Sequence, residues 1–261
     1  GSMADKVNRL EKLVLWLGEK WKLNADQTEI VQRIAALSKS DLTTELVKEF
    51  PELEGILGAE YARIFGEREE VAVGILEHYR PRGMDDAMPR TIPGAITSIA
   101  DKLDTLVGGF GIGLTPTGSE DPYGFRRQAA AVIALLMEHN LSISIRDVVH
   151  QIHGLYRSVA GVGIGKDPET LFKELWEFLV VRLRGRLEEE GIRYDVVEAA
   201  AHGSDDPSRV RILAKAHHGV VDEGWMRGVI KTADRVGRLS ANAKSGQFQE
   251  STLVQTEEKN L

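Results

Sequence analysis

Apolar residues recur at intervals of three and four along almost all of the 261 residues, and that spacing commits the chain to helices. No segment shows a convincing strand alternation. The sharpest stretch is Ile96 to Leu106, where Ile96, Ile99, Leu103 and Leu106 fall on one stripe. Pro93 suits the first turn of that helix, and Gly108-Gly109 is expected to stop it. Asp101 falls on the opposite side with the small residues Ser98, Thr105 and Gly108. Such a face either meets solvent or lets a neighbour approach closely. A loop dense in turn residues follows, Pro116-Thr117-Gly118-Ser119-Glu120-Asp121-Pro122-Tyr123-Gly124. It is expected to close onto a helix whose first turn carries Asp121 and Pro122, with Arg126 and Arg127 directly behind.

The remaining stripes are read in the same way. Val7, Leu10, Val14, Leu17 and Trp21 define a first helix, ended by Lys22-Leu23-Asn24. A second begins near Asp26, carries Ile30, Ile34 and Leu37, and is expected to run with a bend through Ser40-Asp41 towards Val47. Pro51 separates it from a third over 53–65, and a fourth over 67–79 stops at Arg80-Pro81-Arg82-Gly83. An alanine-rich helix ends near Asn140 and a shorter one begins at Ile145. The run from Gly161 to Pro168 reads as a flexible joint and sets the expected domain boundary. Beyond it Phe172, Trp176, Leu179, Leu183 and Leu187 stripe a long helix, and shorter helices lead to a last one from Asp222.

With 42% hydrophobic residues the chain can bury a core, so one or two domains are expected. A net charge of −7 excludes a grip on nucleic acid by global attraction, and any such contact must use local clusters. Cysteine is absent, which excludes disulfides and cysteine-bound zinc. No apolar run reaches the length of a membrane span. Gly1-Ser2-Met3 reads as a cloning remnant, and the uncapped end at 256–261 suggests a piece of a longer protein.

Two polar residues fall on apolar faces. Asp41 is in line with Ile30, Ile34 and Leu37, since eleven residues bring a helix almost back to the same angle. A carboxylate there is either paired or metal-bound, or the helix bends at Ser40 and Asp41 caps the segment from Leu42. His78 aligns with Val71 and Ile75, where a histidine is either a satisfied core residue or a ligand. Asp41, His78 and Asp101 together are a sparse set for a divalent metal. Arg80 and Arg82 flank a proline, and Arg126 and Arg127 open a helix; planar guanidinium groups on ordered loops suit phosphate recognition, against the alternative of surface ion pairs with Glu120 or Asp121. The run from Ala160 to Asp167 fails as a phosphate loop, because alanine and aspartate stand where glycine and a hydroxyl are needed. The glycines from 108 to 113 follow a helix, so they form no dinucleotide fingerprint. His150, His153, His217 and His218 lack further ligands at metal spacing.

The motif Ser98-Ile99-Ala100-Asp101-Lys102-Leu103-Asp104-Thr105-Leu106-Val107-Gly108, continuing to Asp121-Pro122 and Arg126-Arg127, resembles the bacterial glycyl-tRNA synthetase β subunit. Lys39-Ser40-Asp41-Leu42-Thr43-Thr44-Glu45-Leu46-Val47, Phe50-Pro51-Glu52-Leu53-Glu54-Gly55, His78-Tyr79-Arg80-Pro81-Arg82 and Arg193-Tyr194-Asp195-Val196-Val197 support the resemblance in family order. It implies a cytoplasmic class II ligase of two α and two β subunits that charges tRNA with glycine, with ATP, Mg and the catalytic fold belonging to the α subunit. This chain is then expected to be a part of β without its first domains and without most or all of the anticodon-binding domain.

The resemblance also implies an all-α fold with an HD-domain-like helical bundle over 4–160, followed by a smaller helical extension over 161–261. HD phosphohydrolases bind metal through a histidine, a His-Asp pair and a distant aspartate. Here the first position falls near Lys6 and the pair becomes Ser40-Asp41, with His78 and Asp101 completing a degenerate set. Lys6 would repel a metal ion, so no metal and no cofactor is expected in this fragment. The expected role is non-catalytic: binding tRNA for glycine, with Arg80, Arg82, Arg126 and Arg127 on its phosphates, and scaffolding the α subunit. A metal-dependent HD phosphohydrolase is the alternative.

Overall fold

The computed structural model describes residues 1–83, 85–116, 120–158 and 163–240. They form twelve α-helices and no strand: α1 (Met3–Lys20), α2 (Ala25–Leu37), α3 (Glu45–Glu49), α4 (Ile56–Ile64), α5 (Glu69–Glu77), α6 (Ile92–Gly111), α7 (Phe125–Glu138), α8 (Ile145–Arg157), α9 (Pro168–Glu189), α10 (Tyr194–His202), α11 (Pro207–His218) and α12 (Gly224–Ser240). The fold is all-α.

α6 is the centre of the bundle and packs against α1, α2, α5, α7, α8 and α9. Ile96, Ile99, Leu103 and Leu106 are fully buried, as their spacing requires. Burial also extends round the back of the helix to Thr97, Ser98, Lys102 and Asp104. The small-residue face therefore meets other helices. Gly108 and Gly109 do not stop α6, which runs on to Gly111. They let neighbours in: a methyl group on Gly108 would lie 2.2 Å from the Tyr156 hydroxyl, and one on Gly109 2.3 Å from the Phe125 ring.

Two other expected helices start or end elsewhere. α2 stops at Leu37 because the Ser38 and Ser40 hydroxyls bond back to the carbonyls of Ala35 and Leu37, in competition with the helical ladder. A 3-10 turn over Asp41–Thr43 and the short α3, capped by Thr44, replace the continuous bent helix. α7 begins at Phe125, so Asp121 and Pro122 precede it. Asp121 still serves that terminus from outside, accepting from the amides of Phe125 at 2.8 Å and Arg126 at 2.9 Å.

The chain divides into two compact units, residues 1–216 and 217–261. The expected boundary at 160/161 falls inside the first, where α9 packs on α6, α7 and α8. Residues 161–162 of the expected joint, Thr117-Gly118-Ser119 of the loop, and the end at 256–261 lie outside the described residues. Ser2 caps α1 in a capping box with Asp5, so the first residues are part of the helix start. The described part of the second unit includes α12, with Trp225, Val229, Ile230 and Val236 exposed.

Candidate functional site

α1, the turn after α2, the end of α5 and the middle of α6 bring a polar cluster into the first unit. Lys39, only 7% exposed, holds its ammonium 2.7 Å from Asp101 Oδ2 and 3.0 Å from His78 Nε2. On the other oxygen of Asp101, Lys6 Nζ lies at 2.8 Å, and it also donates to Thr105 Oγ1 at 2.7 Å. One turn along, Asp104 takes a bidentate contact from Arg9, at 2.7 and 2.9 Å. The Arg9 guanidinium lies 3.9 Å over the Tyr156 ring. Lys102 closes the cluster by donating to the carbonyls of His78, Tyr79 and Arg80 and to Ser98 Oγ.

The protonation states follow from this geometry. His78 Nδ1 faces the Ile75 carbonyl and donates to it, so Nε2 is the bare nitrogen that accepts from Lys39. Burial, and then the Lys39 charge, push the imidazole well below its ordinary range, which keeps it neutral. Burial would raise Asp101, but Lys39 and Lys6 more than offset it and hold the carboxyl well below the usual carboxylate range. Cations outnumber carboxylates here. Lys102 accordingly falls to about 8, from burial first, with the Lys39 and Lys6 charges adding to it against Asp101.

These residues do not fit a metal. An ion at Asp101 would have to displace two ammonium groups, and among the described residues no three His, Cys, Asp or Glu side chains gather in a metal-binding group. Asp41 points elsewhere. It is 1% exposed, and its Oδ2 accepts from the Gly55 amide at 2.7 Å, at the N-terminus of α4. Of the three degenerate positions, the structure joins His78 and Asp101 through Lys39, while Asp41 organises the neighbouring turn. Lys39, Lys102, Arg9, Asp104 and Tyr156 were not among the residues expected from the sequence. The usable signal was the charged run Asp101-Lys102-Leu103-Asp104 inside the most apolar helix, where only partnered charges can be buried.

The four expected phosphate-binding arginines fall into two places. The Arg80 carbonyl accepts from Ser98 and Lys102, while Phe125, beside Arg126, meets Gly109. Those anchor points are about 10–17 Å apart along α6. Arg82 donates through its guanidinium to the carbonyls of Glu54 and Glu52, which ties the loop before α6 to the turn before α4. Arg127 is exposed and folds back over Gly124, whose lack of a side chain leaves room for it. Arg126 reaches the Glu120 carbonyl at 3.4 Å.

The sequence model described as "Glycyl-tRNA synthetase beta subunit" matches residues 1–202. The chain belongs to the glycyl-tRNA synthetase beta subunit family. It is 39% identical over 262 aligned residues to the glycine–tRNA ligase beta subunit of Desulforamulus reducens, covering 100% of this chain and 37% of the relative. It is 43% identical over 211 residues to that of Desulfitobacterium hafniense, covering 80% of this chain and 30% of the relative. For Bacillus subtilis the figures are 38% over 248 residues, 94% and 34%. The chain thus spans about a third of the length of these glycyl-tRNA synthetase beta subunit relatives.

Proposed function

We propose that this chain is a tRNA-binding and scaffolding part of a glycine–tRNA ligase β subunit, supporting glycylation of tRNA that a separate α subunit catalyses with ATP and Mg. The match of the family model over residues 1–202 carries this reading. The polar cluster supports a structural role for the degenerate HD positions, because Asp101 is ion-paired with Lys39 and Lys6 and His78 Nε2 faces Lys39. No observation favours the metal-dependent HD phosphohydrolase. The working environment is a cytoplasm and the assembly two α with two β subunits; among the described residues no helix is long and apolar enough to cross a membrane.

The tRNA contacts are assigned to Arg80, Arg82, Arg126 and Arg127. Arg82 already holds the loop together, so its contribution is positioning as much as charge. The test is the Arg126→Ala/Arg127→Ala double variant in the complete ligase. The KM for tRNA is expected to rise and the salt dependence of tRNA affinity to flatten by roughly one to two units of slope. Unchanged charging kinetics and an unchanged salt slope would overturn the assignment.

A further inference from the structure

α4 is built inside out. Its buried face is made of the smallest residues, Gly58, Ala59 and Ala62, while Ile64 stands 73% exposed and Ile56 is exposed on the same side, two turns earlier. A helix at a water surface ordinarily turns its large apolar side chains inward. Rotation cannot correct this one. A methyl group on Gly58 would lie 2.9 Å from Ile75 and 3.1 Å from Asp41 Oδ2, so only small residues fit where α4 meets α5 and the turn after α2. Ala59 and Ala62 belong to the same core as Ile34, Val71 and Ile75. The register is fixed, and the outward isoleucines are fixed with it.

Phe65 extends the face. At 81% it is the most exposed large apolar side chain among the described residues. Its backbone is held: the Phe65 amide donates to the Tyr61 carbonyl at 2.9 Å, that of Glu67 to Ala62 at 3.0 Å, and Gly66 turns between them at a φ of 82°. Arg63 ties Glu60 to Glu69 across this turn, at 2.6 and 2.7 Å. Leu46 and Phe50 are exposed along and at the end of α3, which packs on the 3-10 turn Pro51–Leu53 that leads into α4. Charge decides what such a surface accepts. Residues 45–70 carry eight glutamates and only three basic side chains, so most of the net charge of −7 gathers here. Phosphates are repelled, which excludes RNA and an anionic lipid surface, and the same face of a second copy is repelled as well. What fits is a protein surface with an apolar centre and a rim of lysine and arginine.

We propose that the outer face of α4, with Phe65 and the exposed end of α3, is the docking face for a basic-rimmed apolar surface of the separate α subunit. This deepens the scaffolding part of the reading above and rests on it. The test pairs the complete β subunit with purified α subunit and measures affinity and association rate. Ile64→Glu/Phe65→Glu should weaken the affinity roughly thirty-fold, Phe65→Ala about ten-fold, and Phe65→Leu should keep most of it. Glu49 and Glu52 are exposed, and Glu49→Lys/Glu52→Lys should slow association about ten-fold at low salt and flatten its salt dependence. Because Ile64 and Phe65 stand in water, their variants should leave the unfolding midpoint of β and its affinity for tRNA unchanged.

An affinity for α that Ile64→Glu/Phe65→Glu leaves unchanged would overturn the proposal. If the unfolding midpoint of the isolated variant β also drops, another part of β covers the face. A variant that loses tRNA affinity and keeps its affinity for α would overturn the proposal too, and would make the face part of the RNA-binding surface. If wild-type α and β associate and charge tRNA while every variant matches them, the docking face alone falls. If wild-type α and β neither associate nor charge tRNA, the ligase reading falls with it.

Discussion

Asp101 sits between two ammonium groups, and its burial makes that arrangement consequential. Lys39→Ala removes one cation from a nearly enclosed carboxylate and leaves His78 Nε2 without its donor. The expected loss is about 3–5 kcal/mol, read as a lower urea midpoint at constant slope. Acid acts through the neighbouring imidazole. The unfolded chain takes up a proton on His78 near pH 6.5, while the folded chain resists it until far lower pH. The unfolded state therefore binds more protons below that point, and stability falls as pH falls. Relative to His78→Asn, wild type should lose about 1.4 kcal/mol per pH unit below roughly pH 6, down to the folded pKa; parallel stability curves would refute it. At this scale the sequence was half legible. Asp41, His78 and Asp101 stood out because polar residues on apolar stripes demand a reason. Lys39 did not, because a lysine beside a helix end looks solvated until the fold shows what its stem crosses.

Helices were the most legible level, since their stripes depend on local spacing alone. α1, α5, α6, α8 and α9 appear where the periodicity places them. The misjudged ends have local causes that compete with periodicity: serine hydroxyls ending α2, and glycines within α6 that serve packing in place of termination. Whether Gly108-Gly109 stops a helix or admits a neighbour depends on Tyr156 and Phe125, which arrive from distant sequence. Gly109→Ala tests the second role. A methyl group there overlaps the Phe125 ring, so the variant should lose about 1–3 kcal/mol despite the better helix propensity of alanine. Chemical denaturation reads this directly, and a gain in stability would show the ring to be free to move. Asp121→Ala removes the acceptor for two amides at the start of α7 and should cost about 1 kcal/mol, with loss of far-UV helical signal confined to a small fraction.

For the whole molecule, the division at 216 was not legible from composition. The glycine-rich run near 161 carries every local sign of a joint, yet α9 returns to α6, α7 and α8 through contacts that no local pattern encodes. The first unit has its own core, with Leu175, Leu179, Leu183 and Leu187 of α9 fully buried alongside the earlier helices. A chain ending at His218 should fold alone with one cooperative transition, whereas a chain ending at Ser158 should lose that transition. Calorimetry of both distinguishes a boundary at 216 from one at 160. α6 touches six other helices, and its backbone protons can meet water only when those neighbours part. The amide of Leu103 should then exchange with deuterium at the rate set by opening of the entire unit, while amides of α3 exchange through small local openings. One proton on that helix is a clock for the unit it holds together.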